Sequence, residues 1–99
     1  MAQQSGSDEV VDNEAEGQFE MRTEAGTAVL TYDRREGELF LLHTGVPDEM
    51  EGKGIGGQLV KAALEQARAR NFKVVPYCSF ARAYAERHPE YADVVRVPE

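Results

Sequence analysis

Three segments in the first half of the chain show the patterns of β-strands. Phe19-Glu20-Met21-Arg22 alternates apolar and polar residues, which is typical of a strand with one buried face. Residues 28–32 and 38–46 follow, after turn sequences at 25–26 and 34–37. The last run is nearly all apolar, so we expect it to be a central strand. Short turns between consecutive strands predict an antiparallel meander.

The pattern then changes to a helical period. Over residues 54–70 one helix face is apolar, and its members are Ile55, Leu59, Ala62, Ala63 and Ala67. Asn71 is expected to cap the end of this helix. Residues 72–76 predict a strand that is parallel to the one before the helix, since a helical crossover connects the two.

A second helix is predicted over residues 79–87, because the residue before Pro89 disfavours helical geometry. Residues 94–97 favour a short final strand. The predicted order is β-β-β-α-β-α-β, an α+β fold with a mixed sheet and helices packed on it. Residues 1–17 are polar and acidic and predict a disordered leader, so we expect the domain to span 18–98.

Charge and composition change this picture little. The net charge is −7, but five of the 18 acidic residues lie in 1–16, which leaves 13 acidic against 11 basic residues in the remainder. This balance does not favour nucleic-acid binding. The sequence has neither a signal peptide nor a membrane span, so we expect a cytoplasmic protein without a membrane partner. One cysteine and two separated histidines do not predict a metal site.

A glycine-rich loop joins the third strand to the first helix and is the main candidate for chemistry. Its sequence is Gly52-Lys53-Gly54-Ile55-Gly56-Gly57. Glycine lets backbone N–H groups approach a ligand closely, and a helix N-terminus adds unpaired N–H groups and a positive dipole end. The loop therefore predicts a phosphate or pyrophosphate site.

Two nucleotide motifs come close to this loop. It satisfies G-x-G-x-x-G, but the next predicted strand is followed by Tyr77-Cys78 and not by the acidic residue that binds ribose. A P-loop would require lysine after Gly57, where the chain has Gln58. Both interpretations lack their expected context.

Val46-Pro47 followed by Gly52-x-Gly54-Ile55-Gly56 and Leu59 resembles the acyl-CoA signature of the GNAT N-acetyltransferase superfamily. Three further segments resemble its small YjdJ-type members: His43-Thr44-x-Val46-Pro47, Pro76-Tyr77-Cys78-Ser79-Phe80 and His88-Pro89-Glu90-Tyr91. The resemblance covers residues 19–97. It implies a GNAT-like fold and an acetyl-CoA-dependent N-acetyltransferase with an unidentified amine as acceptor.

The resemblance also implies where acetyl-CoA would bind. The strand end would hold the pantetheine and the thioester, and the glycine loop would hold the pyrophosphate. The positions are Thr44, Gly45, Val46, Gly52, Lys53, Gly54, Ile55, Gly56 and Gly57, with Ser79 and Phe80 at the start of the second helix. Glu51 replaces a usual Arg or Gln, and we expect it to point outward. Gly45 replaces a glutamate of many relatives.

Three residues are candidates for catalysis. Cys78 precedes a helix, whose dipole favours a thiolate that could carry the acetyl group, although a small buried hydrophobe explains a free cysteine equally simply. His43 has a pKa range suited to a general base, and a packed strand histidine is the alternative. Tyr84 resembles the tyrosine that protonates the departing CoA thiolate, and packing on the sheet is its alternative.

Three classes of function stay open at this point. The first is an N-acetyltransferase that works by direct attack or through Cys78. The second is an acyl-CoA-binding module without efficient turnover, and the third is a structural domain that has lost the ligand. Intact glycines at 52, 54 and 56 weigh against the third class.

Overall fold

The computed structural model describes residues 9–98, in which five strands form one sheet. The strands are β1 (Val11–Asn13), β2 (Gln18–Thr23), β3 (Gly26–Arg35), β4 (Glu38–Gly45) and β5 (Lys73–Pro76). Neighbours in the sheet follow chain order; β1 to β4 are antiparallel, and β5 pairs with β4 in parallel. The predicted antiparallel meander and the mixed sheet are confirmed. The strand predicted to be central, over residues 38–46, is β4 and lies between β3 and β5, as expected.

The structure differs from the predicted leader. The sequence predicts disorder up to residue 17, but Val11–Asn13 pairs with β2, and Asp12 lies opposite Phe19. The Asp12 carboxylate accepts hydrogen bonds from the Tyr32 hydroxyl and from Gln66 Nε2. These partners lie 20 and 54 residues away, so contacts with distant residues order this polar segment. Residues 1–8 lie outside the described residues, and disorder there stays a prediction.

Two helices pack on the sheet, α1 (Ile55–Ala69) and α2 (Ser79–Arg87). Asn71 follows α1 with a φ of 60°, and the Phe72 N–H donates to the Ala67 carbonyl at 2.8 Å. This is the geometry of a Schellman cap, in which asparagine tolerates the left-handed conformation. The predicted cap is therefore confirmed. Within residues 9–98 neither helix has the length and apolar content that a membrane span requires.

The structure differs from the final strand that the sequence predicts over residues 94–97. A 3-10 segment, Pro89–Val94, takes up residues that could have extended the strand, and only an isolated bridge joins Val95 to Val74. The Arg96 N–H donates to the Val74 carbonyl at 2.8 Å, but Pro98 has no N–H with which to continue a ladder.

The core lies between α1 and the sheet. Leu59, Ala63 and Ala67 are buried on the predicted helix face, whereas Ala62 is half-buried at its margin. Leu30 of β3 and Leu41 of β4 are fully buried against the same cluster. This packing fixes the N-terminus of α1 next to the end of β4.

Candidate functional site

Strands β4 and β5 part about halfway along β4. Their last paired residues are Leu41 and Pro76, after which the N–H groups of Tyr77 and Cys78 both donate to the Leu41 carbonyl at 3.0 Å. On the other side of β4, the pairing with β3 shifts between Thr31 and Tyr32, and Leu42 is the extra residue. A bulge of this kind bends a strand. The end of β4 therefore diverges from β5 and borders a cleft.

This cleft, the glycine-loop cleft, has a volume of about 640 Å³. One wall is the end of β4, a second is the loop before α1 with the first turn of that helix, and a third is Phe80 of α2. The lining residues are His43, Thr44, Gly45, Val46, Met50, Glu51, Gly52, Gly54, Ile55, Gly56, Gly57 and Phe80. Most of the cofactor-binding positions expected from the sequence thus lie around one space.

The N-terminus of α1 offers unpaired N–H groups to this cleft. Gly54 is the N-cap, with a φ of 73°, a left-handed conformation that glycine adopts without strain. The first bond of the helix runs from the Gln58 N–H to the Gly54 carbonyl at 3.0 Å. Within residues 9–98 no side chain caps this end. The N–H groups of residues 55–57 are therefore available to an anion.

Gly56 serves packing and not backbone conformation. A Cβ at Gly56 would lie 2.9 Å from Cζ of Phe80, which is closer than atoms approach without displacement. The missing side chain lets the Phe80 ring lie directly over the first turn of α1. Phe80 remains 41% exposed and forms the wall between the glycine-loop cleft and a second cleft that adjoins it.

The two departures from the family pattern are both at the cleft. Glu51 is exposed and contributes to the lining. A Cβ at Gly45 would lie 3.6 Å from His43 Nε2 and from Val29 Cγ2, an ordinary contact distance. Packing therefore does not require glycine at position 45, and its effect is to leave the His43 ring uncovered.

Cys78 is not among the lining residues of the cleft, but it contacts Thr44, which is one of them. It is half-buried at the N-cap of α2, with its sulfur 3.2 Å from the Thr44 hydroxyl. Burial acts to raise the pKa of the thiol, but the Thr44 hydroxyl and the backbone N–H groups of Ala81, Phe80 and Thr44 outweigh it. The pKa of Cys78 is therefore lowered.

His43 is exposed and lines the cleft next to Thr44. Its carbonyl accepts a hydrogen bond from the Thr31 hydroxyl at 3.4 Å, which ties the backbone of β4 to β3. Within residues 9–98 no carboxylate accepts a hydrogen bond from its ring. The position is open to a ligand, and the ring is not held by a buried partner.

A second cleft, the basic cleft, adjoins the first across Phe80 and has a volume of about 410 Å³. Its lining residues are Gly54, Gly57, Gln58, Lys61, Phe80, Tyr84 and Arg87. Lys61 of α1 and Arg87 of α2 bring two cations next to the N-terminus of α1. Sequence reasoning missed both, since surface cations on two helices carry no signal until the fold places the helices side by side.

The structure does not bring Tyr84 to the glycine-loop cleft. Its ring lies 4.0 Å from the His88 ring in a stacked arrangement and lines the basic cleft instead. Burial, followed by the nearby Glu90 charge, raises the pKa of Tyr84. Ser79 and Lys53 are exposed and line neither cleft. Among residues 9–98 no three His, Cys, Asp or Glu side chains are grouped as metal ligands.

Comparison with known proteins gives a family match and structural matches. Residues 18–94 match the family described as GCN5-related N-acetyltransferase. The fold is similar to the solution NMR structure of a GCN5-like protein from Staphylococcus aureus, proposed to be an N-acetyltransferase, with a TM-score of 0.74 and 35% sequence identity. That match covers 95% of this chain and 93% of the other.

Proposed function

The chain belongs to the GCN5-related N-acetyltransferase family, and we propose that it transfers the acetyl group of acetyl-CoA to the nitrogen of an amine. The observation that carries this proposal is the glycine-loop cleft. There the end of β4 that does not pair with β5 meets the N-terminus of α1, which no side chain of residues 9–98 caps. An extended ligand that carries a thioester at one end and phosphates at the other matches these two walls.

The phosphates are assigned to the N-terminus of α1. The free N–H groups of residues 55–57 and the positive end of the helix dipole favour a pyrophosphate there. Lys61 and Arg87 in the basic cleft add two charged donors for phosphate oxygens. We assign the nucleotide end of CoA to this side of Phe80, where the ring of Tyr84 offers a flat apolar surface. In this position Tyr84 is a binding residue, and its role as the acid stays a prediction.

The thioester is assigned to the end of β4. Residues 44–46 border the gap left by β5, so their backbone groups that do not pair with β3 can bond to the pantetheine and polarise the thioester carbonyl. His43 lies one residue before this position and is open to solvent. A neutral imidazole there can accept the proton that the attacking amine loses.

Two routes of transfer are consistent with this arrangement. In direct transfer the amine attacks the thioester while His43 takes its proton. In the covalent route the Cys78 thiolate takes the acetyl group first and then passes it to the amine. The lowered pKa of Cys78 supports the covalent route, and the fact that Cys78 does not line the cleft favours direct transfer.

A second candidate function is an acyl-CoA-binding module without efficient turnover. The observation in its favour is the uncovered His43 ring: Gly45 has no side chain, and no carboxylate of residues 9–98 accepts a hydrogen bond from this ring. A module of this kind would bind acetyl-CoA with the same contacts and release it unchanged.

Intact-protein mass spectrometry after incubation with acetyl-CoA separates these candidates, with CoA release followed in the presence of a panel of amines. Wild type and Cys78→Ala are compared. CoA release that needs an amine establishes transfer, and an adduct of one acetyl group on wild type alone places Cys78 on the path. Thermal stabilisation by acetyl-CoA without CoA release supports the binding module. If acetyl-CoA causes no stabilisation and no CoA is released, both candidate functions are overturned.

A further inference from the structure

We propose that Thr44 is a positioning residue for Cys78: its hydroxyl holds the sulfur beside the end of β4, next to the glycine-loop cleft, and donates a hydrogen bond to the thiolate. The inference deepens the proposed function and rests on it only for the covalent route. The observation that carries it is the contact itself, which is 3.2 Å between Thr44 Oγ1 and Cys78 Sγ.

The contact crosses the point where the sheet opens. Thr44 lies on β4 beyond the last β4–β5 pair, and Cys78 lies just after β5. The two strands have already diverged there, so the hydroxyl and the thiol take the place of a missing backbone pair. Thr44 also lines the glycine-loop cleft, whereas Cys78 does not. Thr44 is therefore the link between the cleft and the thiol.

The direction of the hydrogen bond follows from the charge on sulfur. Between a hydroxyl and a neutral thiol either atom can donate. A thiolate has no proton, so the hydrogen must then come from Thr44 Oγ1. Bonds to a charged acceptor are stronger than neutral ones, so the contact favours the thiolate over the thiol. Backbone N–H groups of Phe80 and Ala81 act on the sulfur from the start of α2 in the same sense.

In the covalent route this thiolate attacks the carbonyl carbon of the thioester. The new bond joins Cys78 Sγ to the acetyl carbon, the bond from that carbon to the CoA sulfur breaks, and CoA leaves as a thiolate that takes a proton from solvent. The amine then attacks the acetyl carbon and loses its proton to His43, and Cys78 leaves again as a thiolate. Thr44 donates to sulfur at both ends of this cycle.

The test uses the full chain and its only cysteine, so alkylation by iodoacetamide reports on Cys78 alone. The rate is followed by intact mass from about pH 6 to about pH 10, a range that spans ordinary thiol titration. The variants are Thr44→Val, which removes the hydroxyl at nearly constant volume, and Thr44→Ser, which keeps it. Thr31→Val is the matched control. Thr31 lies on β3, and its hydroxyl donates to the carbonyl of His43, the residue before Thr44 on β4, and not to Cys78.

We expect Thr44→Val to lower the alkylation rate near pH 7 by roughly tenfold, which corresponds to the lower end of the cost of losing one hydrogen bond to a charged group. The midpoint of its pH profile should move to higher pH, while the plateau at high pH should not fall. Thr44→Ser and Thr31→Val should keep the wild-type midpoint. A change in sulfur exposure alone would instead alter the plateau.

The proposal is overturned if Thr44→Val keeps the wild-type midpoint, or if Thr44→Ser loses it as fully as valine does. Neither result depends on acetyl-CoA, so failure here is distinct from failure of the proposed function. A missing acetyl adduct together with a shifted midpoint would refute the covalent route and leave the Thr44 contact established.

Discussion

The two ends of helix α1 are built in opposite ways. The N-terminal end has a left-handed glycine as its cap, no capping side chain within residues 9–98, and two clefts against it. The C-terminal half is tied down by side chains. Gln66 bonds to Asp12 and Arg34, Arg68 pairs with Asp93 at 2.6 Å, and the Tyr91 hydroxyl donates to Glu65 at 2.5 Å.

This contrast teaches how one helix serves two purposes. Polar groups at the C-terminal half are satisfied by the protein itself, so they contribute to the stability of the fold. Donors at the N-terminal end are left to solvent, so an anion can replace water there without breaking an internal bond. Substitutions at the C-terminal half should therefore change the free energy of unfolding, and substitutions at the N-terminal end should change affinity for acetyl-CoA.

The largest expected effect is a decrease in the free energy of unfolding. Asp12→Ala removes the carboxylate on which Tyr32, Arg34 and Gln66 converge, and it leaves these half-buried donors with fewer partners. We expect the free energy of unfolding in urea to fall by about 2 kcal/mol, with acetyl-CoA affinity unchanged.

Asp33→Ala is the matched control, because Asp33 forms an exposed ion pair with Arg35 on the same sheet. Pairs of that kind contribute little, so its unfolding free energy should stay within about 0.5 kcal/mol of wild type. Equal losses in the two variants, or a loss of affinity in Asp12→Ala, would contradict the separation of the two ends.

The second effect concerns binding. Gly56→Ala places a Cβ 2.9 Å from Cζ of Phe80, and the half-exposed ring can move only by changing the walls of the two clefts. We expect acetyl-CoA affinity, measured by calorimetry, to fall by roughly fivefold, or about 1 kcal/mol. The free energy of unfolding should change by less than about 1 kcal/mol, because alanine is the better helix former.

A double-mutant cycle sharpens this prediction. In a Phe80→Ala background the added Cβ meets no ring, so Gly56→Ala should cost no further affinity. The same fivefold loss in both backgrounds would show that Gly56 acts on the ligand directly and not through Phe80.

The sequence predicted the N-terminal end of α1 better than the C-terminal half. Glycines and the proline at 47 are local signals, so the loop and the helix start were predicted, and most of the positions expected to bind the cofactor line one cleft. The side-chain hydrogen bonds at the C-terminal half of α1 join residues far apart in the chain, such as Asp12 and Gln66. These bonds order β1, whose own sequence is polar. The Thr44–Cys78 contact was missed for the same reason, since the two residues are 34 positions apart in the chain.

The third effect is again on stability. Tyr91→Phe removes the hydroxyl that donates to Glu65, while the buried ring keeps its packing. We expect a loss of about 1 kcal/mol in unfolding free energy. Tyr77→Phe is the control, since Tyr77 is 55% exposed and should show no measurable change. A loss in the control as large as in Tyr91→Phe would contradict the role of the Glu65 bond.

The smallest effect is a dependence on pH. Burial acts to raise the pKa of Asp12, but hydrogen bonds from Tyr32, Gln66 and Arg34 outweigh it, so the pKa lies below its ordinary value of 3.8. A carboxyl with a lowered pKa stabilises the fold fully above its unfolded value, and this contribution is lost as pH falls through the folded value. The difference in unfolding free energy between wild type and Asp12→Ala should thus shrink below about pH 4. A constant or growing difference would contradict this assignment.

The most direct test of the contrast between the two ends is a titration of the isotope-labelled protein with acetyl-CoA, followed through its backbone N–H resonances. We predict the largest shifts at Gly54, Gly56, Gly57 and Thr44, with little change at Gln66 and Arg68. Shifts centred on the C-terminal half of α1, or no shifts at about 1 mM acetyl-CoA, the upper end of ordinary substrate KM values, would contradict the proposal that the glycine-loop cleft binds acetyl-CoA.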